Sequence, residues 1–98
     1  MKLHSLSPIR FHILLAVATV PAHARLIATR VAYDTLGEFE LSPATLHDNL
    51  IFLIRSGWIE PSTSREYSIT DRGREKLQND LYRWRIVSSR ATEMLRRV

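Results

Sequence analysis

The sequence predicts a mainly α-helical fold with a small β-hairpin and one long C-terminal helix. Two Ser-Pro pairs, at 7–8 and 42–43, each place an N-cap residue before a proline in the first helical position. Residues 58–69 hold two short runs of strand-forming residues on either side of a cluster of turn residues. In the last quarter of the chain, apolar and small residues recur at alternating spacings of four and three, which is typical of a helix with one buried seam.

The first half of the chain predicts two helices. The helix that Ser7 caps is apolar around most of its circumference, which indicates burial, and it ends before Pro21. A second helix is expected from about Ala22 to Thr35, with Gly37 as its stop signal. Residues 38–41 form a short connection and are a candidate for a single extended pairing.

The second half begins with a third helix, capped by Ser42 and ended by Gly57. A strand at 58–60, a turn at 61–64 and a returning strand at 65–69 then form the hairpin. Thr70 caps the last helix, which runs to the C-terminus and would be about 42 Å long at 1.5 Å per residue.

This order of elements is that of a winged helix-turn-helix followed by a long helix. Residues 1–70 are predicted to form the winged helix-turn-helix domain, and residues 71–98 the C-terminal helix. In such domains the third helix is the candidate for the DNA major groove.

The residues themselves resemble a known family. The segment LSPATLHDNLIFLIRSGWIE, followed by EYSITDRGREKL and preceded by Pro21-Ala22-His23, is similar to the PadR family of bacterial transcriptional regulators, in its short, small-subfamily form. The resemblance implies a dimeric DNA-binding repressor whose C-terminal helix makes the dimer. Ala44 and His47 stand where the family commonly has glycine and tyrosine, and the wing lacks the usual run of Lys and Arg.

The third helix carries a usable set of DNA contacts. Asn49 suits an adenine edge, Arg55 a guanine or a phosphate, and Thr45 and Phe52 suit thymine methyl groups. Ser42 and the first-turn amides suit a phosphate. The predicted DNA-binding residues are Arg25, Ser42, Thr45, His47, Asn49, Phe52, Arg55 and Arg65. Asp48 on the same helix would repel phosphates unless it accepts from a cytosine amino group.

Ile51 and Phe52 are unusually apolar for a DNA-reading surface. One interpretation is a wider buried stripe, packed by the wing or by the last helix. The other is a surface for a protein partner, since exposed apolar patches often mark interaction sites. A winged-helix adaptor that binds protein is therefore the alternative to the DNA-binding regulator.

The seam of the last helix predicts a homodimer, because a small domain has nothing left to cover its second half. The alternative is a helix folded back on its own domain. The predicted dimerisation residues are Leu81, Trp84, Val87, Ser88, Ala91, Met94, Leu95 and Val98. Trp84 is also a possible ligand-binding residue, because in some PadR-like drug sensors an interface tryptophan helps to bind flat aromatic ligands; a core tryptophan is the other interpretation.

Charge and composition limit the remaining possibilities. The net charge of +4 lies entirely in residues 62–98, where nine basic residues face five acidic ones. The chain has no cysteine, its four histidines lack metal-ligand spacing, and it has no glycine-rich phosphate loop. These features predict a protein that is not an enzyme and needs no cofactor or metal. The longest apolar run, Ile13 to Ala18, is too short to span a bilayer, and a cytoplasmic location is expected.

Overall fold

The computed structural model describes residues 5–97 and confirms the mainly helical fold with a small sheet. The elements follow in the order α1 (Pro8–Ala16), β1 (Ala22–His23), α2 (Ala24–Asp34), α3 (Pro43–Arg55), β2 (Ile59–Pro61), β3 (Glu66–Ile69) and α4 (Asp71–Arg96). Three helices with a hairpin after the third are the winged helix-turn-helix arrangement, and α4 is the long helix that follows it. Val98, predicted to belong to the seam of the last helix, lies outside the described residues.

The predicted cap residues start the helices. The hydroxyl oxygens of Ser7, Ser42 and Thr70 accept hydrogen bonds from the backbone N–H three residues later, at 3.3, 3.2 and 3.0 Å. At α2 the cap is His23, whose Nδ1 accepts from the backbone N–H of Leu26 at 3.3 Å. Each contact satisfies one of the amides that the first turn of a helix leaves without an intrahelical partner.

The sheet has three strands, and the extra pairing lies elsewhere than predicted. Residues 38–41 form no strand, whereas Ala22 and His23 pair antiparallel with Tyr67 and Glu66 of β3. The second helix accordingly begins at Ala24 and not at Ala22. The physical reason is the burial of Ala22, whose backbone lies in the core between α1 and β3 and needs hydrogen-bond partners there.

Helix α1 is shorter than predicted, because side chains from elsewhere satisfy the carbonyl groups at its end. Nη1 of Arg30 donates to the carbonyl oxygens of Ala16 and Val20, at 2.6 and 3.1 Å. Nη2 of Arg74 donates to the carbonyl oxygen of Ala18 at 3.1 Å. These contacts supply the donors that a helix C-terminus lacks, and they engage two of the basic residues within the fold.

One apolar cluster joins all the helices. Its fully buried members include Ile13, Leu14, Ile27, Val31, Leu53 and Ile59. Helix α4 joins this cluster through Leu77 and through Gly73, where an added Cβ would overlap the carbonyl oxygen of Trp58. From residue 84 to residue 97, by contrast, every position of α4 is exposed.

Candidate nucleic-acid interface

Helix α3 separates into a buried stripe and a solvent face. Leu46, Leu50 and Leu53 are buried in the domain core, as the 3.6-residue period predicts. Among the remaining residues, Ala44, His47, Asp48 and Arg55 are exposed and Ile51 is half-buried. We call these five residues the outer face of α3. Asp48 and Arg55 balance in charge, so the outer face is neutral apart from His47.

Two predicted DNA contacts lie on a different flank of α3, against α1. Nε of Arg10 donates to Oδ1 of Asn49 at 3.0 Å, and Nδ2 of Asn49 donates to the carbonyl oxygen of Thr45 at 2.8 Å. The Arg10 guanidinium also lies over the Phe52 ring, 3.5 Å from its centroid. The polar groups of Asn49 are therefore engaged within the protein, and one face of Phe52 is covered.

Phe52 belongs to a stack of two aromatic rings between two cations, and the stack links three helices. Its ring meets the edge of Trp58 at a centroid distance of 6.1 Å, and Nζ of Lys76 lies 5.5 Å from the centroid of the Trp58 ring. Such contacts are favourable because the ring face is electron-rich. With 37 % of its surface exposed, Phe52 is neither core nor a free apolar patch. The predicted protein-partner surface of Ile51 and Phe52 is therefore partly covered at Phe52.

The N-terminus of α3 lies beside α2 and the sheet. Oγ of Ser42 donates to Oγ1 of Thr45 at 3.0 Å, in addition to its capping contact, and both residues are exposed. A groove of about 360 Å³ runs alongside, between α2, α3 and β3. Exposed Arg25 and His47 both line it, together with Tyr67. Two predicted DNA contacts from different helices are thus brought to one surface.

The wing is short and carries few positive charges. The hydroxyl of Ser62 accepts from the backbone N–H of Glu66 at 3.2 Å, and Arg65 closes the turn with a positive φ of 62°. Exposed Arg65 is flanked by the exposed carboxylates of Glu60 and Glu66. The hairpin therefore has a net negative charge, and Arg65 is its single cation.

The predicted dimerisation residues form an exposed stripe along α4. Trp84, Val87, Met94 and Leu95 are between 51 and 75 % exposed, and Ser88 and Ala91 are exposed between them. Leu81 begins the stripe at 40 % exposure. These side chains recur at spacings of three and four residues and so lie along one side of the helix. Nothing within the described chain covers them, and they form an exposed apolar face.

A cleft of about 350 Å³ lies between the first half of this stripe and the N-terminal part of the chain. It is lined by Ser5, Leu6, Pro8, Phe11, His12, Asp80, Arg83, Trp84 and Val87. Trp84, the predicted ligand residue, thus forms one wall and Phe11 another. Nδ1 of His12 is buried and has no hydrogen-bond partner among residues 5–97.

Arg10 contacts Asn49 across 39 residues of chain and was not among the predicted site residues. No pattern among neighbouring residues of the sequence predicts such a contact. At 100° per residue around α3, Asn49 lies about 100° from Leu50 and Phe52 about 160° from it on the same side, and this proximity of Asn49 to Phe52 was available from the sequence.

The fold that carries this surface is shared with a known protein. The structure of a transcriptional regulator from Clostridium thermocellum Cth-833 matches with a TM-score of 0.72 at 18 % sequence identity, covering 86 % of this chain and 89 % of that chain. No protein-family model matches the chain, and no curated protein matches it in sequence. The likeness shows a common fold, and the PadR resemblance stays a prediction.

None of the helices within residues 5–97 has both the length and the apolar composition that crossing a membrane requires. The same part of the chain contains no cluster of three or more His, Asp or Glu residues that could hold a metal ion.

Proposed function

We propose that the chain is a homodimeric, sequence-specific DNA-binding transcriptional regulator of the PadR-like winged-helix type, and that it acts as a repressor. One observation carries the proposal: the outer face of α3 is uncovered beside Arg25 of α2, on the fold of a known transcriptional regulator. In winged helix-turn-helix proteins this surface enters the major groove.

The residues of this surface divide into two kinds of contact. Arg25, Ser42 with Thr45, and Arg65 contact phosphates, which position the domain on the duplex without reading its sequence. His47 and Arg55 lie on the outer face and reach base edges, where Arg55 favours guanine. Asn49 and Phe52 are left out of the proposed interface, because Arg10 engages both.

The exposed stripe of α4 supplies the second half of the proposal. Pairing with a second copy buries Trp84, Met94 and Leu95, the apolar side chains that the single chain leaves in water. A closed two-fold dimer presents two α3 helices related by symmetry, so the preferred DNA site is a pseudo-palindrome.

The test is a selection of binding sites from a random duplex library, followed by affinity measurements against salt concentration. A two-fold-related motif with a falling log–log salt dependence supports a dimeric regulator. Arg55→Ala should lose discrimination at one base position in each half-site. Arg90→Ala is the control, because it removes the same charge from the exposed part of α4 and should leave the motif intact. Arg90 lies about 28 Å beyond the start of that helix at 1.5 Å per residue. A library without enrichment contradicts the proposal.

A second candidate activity is effector binding in the cleft beside Trp84. The aromatic walls suit a flat apolar molecule. In a Trp58→Phe variant, Trp84 becomes the single tryptophan of the chain. Saturable quenching of its fluorescence by a planar aromatic amine, lost on Phe11→Ala substitution, would support the site; linear, unsaturable quenching would exclude it.

A further inference from the structure

We propose that Arg10 is a positioning residue that fixes the rotation of α3 about its own axis, so that His47, Asp48, Ile51 and Arg55 read the bases and Asn49 does not. This inference rests on the proposed DNA-binding function, and it identifies which residues of the recognition helix determine specificity.

The hydrogen bonds of Asn49 exclude it from base reading while the contact with Arg10 stands. Adenine recognition by asparagine needs the amide oxygen and the amide nitrogen together, as acceptor and donor to the adenine edge. Here Oδ1 accepts from Nε of Arg10 at 3.0 Å, and Nδ2 donates to the carbonyl oxygen of Thr45 at 2.8 Å. The amide is held against the flank of α3 and is half-buried there.

The second contact of Arg10 fixes the same flank through Phe52. The guanidinium lies 3.5 Å from the ring centroid, so a single side chain of α1 holds two positions of α3 that are three residues apart. Arg10 is itself held at the start of α1, where its backbone N–H donates to Oγ of Ser7 at 3.3 Å. Phe52 also contacts Trp58, and Lys76 extends the stack to α4. Rotation of α3 would have to break these contacts.

The fixed rotation turns a different set of side chains toward a ligand. Asp48 is fully on the solvent side, and a carboxylate there is repelled by phosphates but accepts well from the amino group of cytosine. Ile51 lies three residues further along the same surface, where an apolar side chain suits a thymine methyl group. Because residues three apart are neighbours on a helix, Asp48 and Ile51 address adjacent base pairs. His47 borders them on the side of Arg25, since both line one groove.

The experiment compares base preferences, position by position, in selections with the wild-type chain and three variants. Asp48→Ala and Ile51→Ala should each lower discrimination about tenfold at one base pair, and those two base pairs should be adjacent. Asn49→Asp keeps an oxygen for Arg10 but removes the nitrogen donor that adenine requires. It should lower the affinity for all sequences alike and leave every preferred base unchanged.

The positioning role of Arg10 is tested by the ratio of two affinities, that for DNA carrying the selected motif and that for DNA of unrelated sequence. In Arg10→Ala, a less constrained α3 should reduce this ratio at least about fivefold, whereas simple loss of folded protein lowers both affinities equally and leaves the ratio unchanged. Arg10→Lys keeps a cation near Phe52 and should recover part of the ratio. This second variant keeps the test decisive if Arg10→Ala does not fold.

Three outcomes overturn the inference. If the wild type enriches a motif and Asn49→Asp changes a preferred base, Asn49 reads DNA and the proposed function stands without this inference. If both Arg10 variants keep the wild-type ratio, Arg10 does not position α3. If the wild type enriches no sequence, the proposed function fails and the inference fails with it.

Discussion

The carboxylate of Asp80 accepts a 2.7 Å hydrogen bond from the backbone N–H of Leu6, a residue 74 positions earlier in the chain. Asp80 is only 7 % exposed, and its other oxygen lies 3.2 Å from Nζ of Lys76. One buried carboxylate therefore holds the segment before α1 against α4, at the edge of the cleft that Trp84 lines.

Asp80→Ala should destabilise the protein by about 2–3 kcal/mol, because it leaves the backbone N–H of Leu6 without its partner and removes the ion pair with Lys76. Urea unfolding measures this loss. Asp80→Asn keeps an oxygen for Leu6 and should lose less. Glu93→Ala is the matched control: its ion pair with Arg97 is exposed, and its loss should change stability by less than about 0.5 kcal/mol. Equal effects of Asp80→Ala and Glu93→Ala would show that the buried contact adds nothing.

Gly73→Ala should destabilise the protein, although alanine is the better helix former by about 1 kcal/mol. An added Cβ at Gly73 overlaps the carbonyl oxygen of Trp58, so α4 must move away from the hairpin, at a cost of about 2–3 kcal/mol. Thermal unfolding measures the change. Ser89→Ala, at an exposed position of the same helix, should be neutral or slightly stabilising. A Gly73→Ala variant that melts above the wild type would refute the close packing of α4.

Leu95→Asp should convert the proposed dimer to a monomer without unfolding the domain, because Leu95 is 75 % exposed in the single chain and would be buried only by the partner. Sedimentation velocity gives the mass, and circular dichroism gives the helix content. Ile86→Asp introduces the same charge on the opposite side of α4, half a turn from the stripe, and should leave the dimer intact. A wild type that sediments as a monomer would refute the pairing, as would a Leu95→Asp variant that still dimerises.

Arg65→Ala should weaken binding to all DNA sequences alike. The wing has no second cation, so each protomer loses one phosphate contact, and the slope of log K against log salt should fall in magnitude by about 2 per dimer. Titrations of a fluorescent duplex at several salt concentrations measure the slope. Arg90→Ala, with the same change of charge, should keep the wild-type slope. An unchanged slope in Arg65→Ala would place the wing away from the DNA backbone.

Local signals predicted the helix starts well. Ser7, Ser42 and Thr70 were each identified from a residue type and its immediate neighbours, and each makes its capping hydrogen bond within three residues. Positive φ at Gly37 and Gly57 follows the same logic, since glycine adopts this conformation without steric cost. The winged helix-turn-helix fold followed from these signals in their order.

Local signals did not predict three features of the structure: the extent of α1, the pairing of Ala22 with Tyr67 and the surroundings of Phe52. Arg30 and Arg74 end α1, β3 supplies the partners of β1, and Arg10 covers Phe52. Each of these contacts joins residues at least 10 positions apart, and no local periodicity encodes such a pair.

By itself, the sequence determined which segments are helical, where three of the four helices α1–α4 begin and which stripes are apolar, because caps, turns and helical periods act over a few residues. Only the tertiary structure decided which side of α3 is open. Leu46, Leu50 and Leu53 fix one stripe inward, but Arg10 of a distant helix occupies one flank and leaves Asp48 and Ile51 in solvent-facing positions. Hydrophobic burial sets the inward side of a helix, and specific long-range contacts decide which of its remaining sides can meet a partner.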